Sequence, residues 1–74
     1  MTIHVGHASP PHRDSTVAEF HVAHDGFVDI PAEIYRSEGQ LMIAIYSRAG
    51  GDPWEFPLGD FIEAIGKGIA ILDH

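Results

Sequence analysis

Seventy-four residues, 45% of them hydrophobic, make one small domain with no room for a second. Cysteine is absent, so neither a disulfide framework nor a thiolate zinc site staples the fold, and an apolar core or a partner chain has to hold it together. Eleven acidic against four basic residues give a net charge of -7, which repels a phosphate backbone and points away from direct nucleic-acid binding, toward protein partners with a basic surface.

No apolar run approaches the roughly 18 residues of a membrane span, and the chain lacks the basic start and apolar stretch of a signal peptide. A cytoplasmic location without membrane contact is expected. Residues 1–15 carry Gly6, Pro10 and Pro11 with little apolar periodicity beyond Ile3 and Val5, which reads as a flexible N-terminal arm ahead of a single α+β domain over residues 16–74.

"TVAEFHVA", from Thr16, alternates as a half-buried strand does, with Ala18, Phe20 and Val22 on one side. "FVDIPAEIYR" repeats the alternation through Val28, Ile30, Ala32 and Ile34. A two-residue Asp25-Gly26 turn would set Val22 opposite Asp29 and mix the faces. A three-residue loop with Gly26 in a left-handed bulge position instead pairs Val22 with Val28, Phe20 with Ile30 and Ala18 with Ala32. Pro31 cannot donate to a ladder, so a bulge or bend is expected there. "RSEGQLMIAIYS" selects a two-residue Glu38-Gly39 turn, which sets Ile34 opposite Ile43 and Ala32 opposite Ile45.

After the turn-rich "RAGGDPWEFP", apolar residues Leu58, Ile62, Ile65, Ile69 and Leu72 recur at helical spacing with Phe61 beside them, and Pro57 suits a first helical turn. Gly66 and Gly68 each cost a helix about 1 kcal/mol relative to alanine. A helix ending near Gly66 and followed by a short strand "IAIL" therefore competes with one continuous helix, which is preferred. The fold expected is a three-stranded antiparallel meander, with room for a short fourth strand, and one C-terminal amphipathic helix packed on one face.

One helix covers one face of a sheet. By these registers the other face carries Tyr35, Met42 and Tyr46 interleaved with Glu19, Asp29 and Glu33, a mixture of aromatics and carboxylates suited to a basic protein surface. Trp54 and Glu55, held between Pro53 and Pro57, join them as candidate contact residues; Trp54 and Phe56 equally suit a plug at the end of the core. The same sheet face is also the candidate interface for a structural or regulatory homodimer.

His4, His7 and His12 match no finger or H-E-x-x-H spacing, so no metal site is assigned to them; a His-based metal-binding role is the least favoured reading. "GKG" at 66–68 lacks the spacing of a phosphate loop, no cofactor motif is present, and no serine sits in a nucleophile elbow, so an enzyme is not expected. The expected function is a small acidic protein-binding module that inhibits by occupying a basic, nucleic-acid-binding type of surface on a larger protein. In size, charge and lack of cysteine the chain looks like the small acidic inhibitors encoded by phages and mobile elements, anti-CRISPR proteins among them. That likeness covers no motif and carries over no residue.

Overall fold

The computed structural model describes every residue except Met1, Asp14, Ala49 and His74, with His24 described by its backbone alone. Four antiparallel strands, β1 (His4–Ala8), β2 (Val17–His24), β3 (Phe27–Ser37) and β4 (Gln40–Ile45), lie in the order β1-β2-β3-β4 and are followed by one helix, α1 (Leu58–Leu72). The α+β meander with a C-terminal helix is as expected, and the N-terminus supplies the fourth strand. Residues 4–8 are therefore not a loose arm: they pair with β2 from His4↔His21 to Ala8↔Val17. Two alternate apolar residues suffice to anchor them, since Ile3 is buried and Val5 packs against the core.

The β3–β4 hairpin has the expected two-residue turn, with Glu38 and Gly39 both at positive φ and Ile34 opposite Ile43. The β2–β3 hairpin does not have the three-residue loop. Asp25 and Gly26, at φ 48° and 80°, form a two-residue turn of the type whose twist suits a hairpin, with His24 opposite Phe27 and Val22 opposite Asp29. The frame is then corrected further along, where the pairing shifts so that Phe20 meets Ala32 and Ala18 meets Ile34. His21 thus faces two residues, Ile30 and Pro31, across a bulge at the position where proline called for one.

Pro31 costs the ladder little. Its carbonyl accepts the Tyr46 N–H at 2.8 Å, so the donor it lacks would have pointed to the same side, just beyond the last residue of β4. The bulge also leaves Val28 and Ile30 off the core, 64% and 40% exposed.

α1 runs unbroken through Gly66 and Gly68, and the packing of Gly68 explains why. A Cβ there would lie 2.9 Å from Ile34 Cδ1 and 3.4 Å from Ala18 Cβ, so glycine sets the distance at which the helix meets the sheet. Ala64, one turn earlier, is likewise buried. The face that docks is therefore Phe61, Ala64, Ile65, Gly68, Ile71 and Leu72, packed over Ile3, Ala18, Phe20, Val22, Ala32 and Ile34. Burying a side chain the size of Phe20, which is fully enclosed, contributes about 2–3 kcal/mol. Pro57 caps the helix from just outside it, its carbonyl accepting the Phe61 N–H at 3.1 Å.

Candidate functional site

The face of the sheet away from α1 is built around a carboxylate. Glu33 lies on β3 between Glu19 of β2 and Ala44 of β4, and it is 1% exposed. A buried carboxylate needs partners, and this one has three. His12 Nε2–H donates to it at 3.0 Å, Arg13 donates from its Nε at 3.0 Å, and the Tyr46 hydroxyl donates as well. The Arg13 guanidinium lies 3.6 Å from the centre of the Tyr35 ring, and the Arg13 N–H closes a turn onto the Pro10 carbonyl at 3.1 Å. Residues 10–13 are thereby drawn across the sheet as a strap.

Burial alone would raise the Glu33 pKa. The hydrogen bonds from Tyr46, His12 and Arg13, with the Arg13 charge, outweigh it and hold the carboxyl below its usual range. The Tyr46 hydroxyl moves the other way, pushed up by burial and by its bond to Glu33.

This strap changes the standing of the predicted contact face. Glu19, Glu33, Tyr35, Met42 and Tyr46 do share the side away from the helix, opposite to Ile34 and Ile43. Glu33, however, is enclosed and its charge is paired with Arg13 of the same chain, and Tyr35 is half-buried beneath Arg13. Glu19 accepts a hydrogen bond from His21 at 3.0 Å. Asp29 does not belong to the group, because the two-residue turn puts it opposite Val22 rather than across from His21. Met42 and Tyr46 remain partly open, 39% and 38% exposed. A partner or second copy meeting this face would meet a paired, partly roofed surface.

Trp54 and Glu55 lie elsewhere. Residues 52–57 run along the end of the core, where Trp54 stacks on Phe56 (5.8 Å between ring centres), Phe56 on Phe61 (5.4 Å), and Phe61 meets Phe20 edge-on at 5.7 Å. The plug expected of Trp54 and Phe56 is thus present, and it has an outer side. Trp54 forms part of the wall of an open cleft of about 840 Å³, together with Thr2, His4, Val22, Asp25, Arg48, Asp52 and Glu55. Arg48 sits over the indole at 5.0 Å from the ring centre.

The four cations of the sequence account for the charge there. Arg13 pairs with Glu33, Arg36 with Asp73 and Lys67 with Glu63, and among the described residues Arg48 is the one Lys or Arg side chain in the wall of the cleft, beside the carboxylates of Asp25, Asp52 and Glu55.

Sequence reasoning missed the His12–Arg13 clamp, since a contact spanning some twenty residues leaves no periodic trace. It also missed Asp25, Arg48 and Asp52, which converge only when a turn and a loop are brought side by side. The seating role of Gly68 had a signal, a small residue four positions after Ala64 in an otherwise bulky apolar helix. Among the described residues no group of three His, Cys, Asp or Glu side chains is placed to hold a metal ion, and no helix is long and apolar enough to cross a membrane. Family models, curated proteins and solved structures were each compared with the chain, and none matches it.

Proposed function

We propose that this chain is a small acidic protein-binding module that takes a basic side chain of a larger protein into the Trp54 cleft and inhibits by stoichiometric occupancy of that partner's basic surface. The observation that carries the reading is Arg48 lying over the indole within walls that also hold Asp25, Asp52 and Glu55. An aromatic face that holds one guanidinium, among carboxylates, suits a second cation from outside. Trp54 and Glu55 keep the contact role expected of them, and the role given to Glu33 passes to Asp52 and Asp25.

Trp54 is the only tryptophan, so its emission reports on the cleft directly. Titration with an arginine-rich peptide is expected to give a saturable one-to-one change that weakens with salt. Joint replacement Asp52→Asn and Glu55→Gln is expected to weaken it about tenfold, equivalent to about 1.4 kcal/mol. Glu63→Gln, on the exposed helix surface, serves as the control and should leave it alone. An unchanged emission, or an affinity indifferent to the double replacement, removes the cleft from the reading.

A further inference from the structure

Among the described residues, nothing covers the helix side of β4 or the adjoining flank of α1. The helix packs over β1, β2 and β3 and makes no close approach to β4. The helix-side row of β4, Leu41, Ile43 and Ile45, is left 41%, 41% and 65% exposed. On the helix, Leu58 and Ile62 are 73% and 58% exposed, and with Ile65 and Ile69 they form the flank on the β4 side, where Leu58 and Ile45 line a common hollow. The charges of α1 lie on the other flank, where Asp60, Glu63 and Lys67 border Thr2 and Ile3. The helix's outer side carries Gly59, Gly66 and Ala70, all exposed, and a Cβ at Gly66 would meet nothing within 4 Å. A helix apolar on every side but one is a helix that expects burial on more than one side.

We propose that the missing neighbour is a second copy of this chain, docked so that each α1 lies over the other copy's β4. The surface is complementary to itself: β4 lacks a covering helix, and the outer side of the helix lacks a covering sheet. α1 covers β1, β2 and β3, centred on β2, and the uncovered β4 lies two strand spacings from β2, ~10 Å, which is the separation of two helices packed side by side. Fifteen residues of helix span about 22 Å and six of strand about 20 Å, so the lengths match as well.

The two helices then lie side by side through Leu58, Ile62, Ile65 and Ile69, between two sheets, in an isologous interface. Charge selects the same occupant. In a chain of net charge -7 none of these seven side chains is ionised, so a second copy brings no carboxylate against carboxylate, whereas a basic partner finds no anion here. The small residues on the outer side of α1 let the second copy's β4 approach closely.

Sedimentation velocity on the full chain over about a hundredfold range of concentration is expected to show a monomer–dimer equilibrium, with thermal stability rising alongside. Ile45→Asp and Gly66→Leu, both on open surface of the single chain, are expected to keep its circular dichroism and to raise the dimer dissociation constant at least about a hundredfold. Gly66→Leu separates this arrangement from simple edge pairing along β4, which it would leave intact. Should either variant fold poorly, Ile62→Lys on the helix flank replaces it with the same expected loss. A monomer at every concentration, or a dimer that survives these replacements, overturns the proposal. The Trp54 titration is independent of it and proceeds with either species.

Discussion

β1 and β4 are the two outer strands of one sheet, and only the less apolar of them is roofed. β1 reads HVGHA and lies beneath the helix, whereas β4 reads QLMIAI and does not. Apolar content alone would have put α1 over β4. Shape decides otherwise: Gly68 and Ala64 on the helix meet Ala18, Phe20 and Ile34 on the central strands at a separation no larger side chain would allow. Arg36 on β3 then fastens the helix end through Asp73. The lesson is that small residues set where a helix sits, and the apolar surface left over marks where something else belongs.

The comparison breaks most completely if the seating is removed. Gly68→Leu forces a side chain into the space of Ile34, Ala18 and Phe20, and is expected to cost about 3 kcal/mol, a fall of roughly 12–24 °C in the melting temperature of a domain this size. An unchanged melting temperature would mean the helix rests on the sheet through other contacts.

Equal truncations at the two edges should then give unequal results. Val5→Ala, against the core under the helix, is expected to cost about 1–2 kcal/mol in urea unfolding, and Ile45→Ala, measured in dilute protein, less than about 0.5 kcal/mol. Equal losses would erase the distinction between the edges.

On the far face, Glu33→Gln is expected to cost about 1–3 kcal/mol, because it leaves Arg13 and Tyr46 facing a neutral amide. The sign with pH follows from the depressed Glu33 pKa: its stabilisation is fully present above the unfolded carboxyl value near 4 and is lost as pH falls through the folded value. Acid titration of unfolding should therefore show a loss below about pH 4 that the Gln variant lacks. Tyr46, with its pKa raised, adds stability below about pH 10 that disappears as pH climbs through the folded value. The smallest effect is expected at Gly66→Ala in dilute protein, a gain of about 0.5–1 kcal/mol from helix propensity alone, with no atom near enough to object.

Much of the fold was legible because its signals are local. Alternation in "TVAEFHVA" and "QLMIAI", the Glu38-Gly39 turn and the helical spacing after Pro57 each depend on a few neighbouring residues. The β2–β3 register was not, since a turn and a bulge compensate one another, and a test that requires unbroken alternation rejects the turn that forms. β1 was missed because one valine and one alanine among two histidines and a glycine give no alternation until β2 lies beside them. Of the candidate site, the sidedness of Tyr35, Met42 and Tyr46 was readable from alternation. That Glu33 is enclosed was not, because its partners come from a segment without periodicity. The stripe through Leu58, Ile62 and Ile69 was read as the buried side of α1; it is the open flank, since spacing identifies an apolar stripe without saying which surface it meets.

The contrast between the two edges can be read directly from methyl resonances followed as protein concentration rises. Leu41, Ile43, Ile45, Leu58 and Ile62 are expected to shift together with a single midpoint, while Ile3 and Val5 stay fixed. Stationary resonances along β4 and the helix flank, or shifts at Ile3 and Val5 instead, would contradict the assignment of the uncovered edge as the place where a second chain docks.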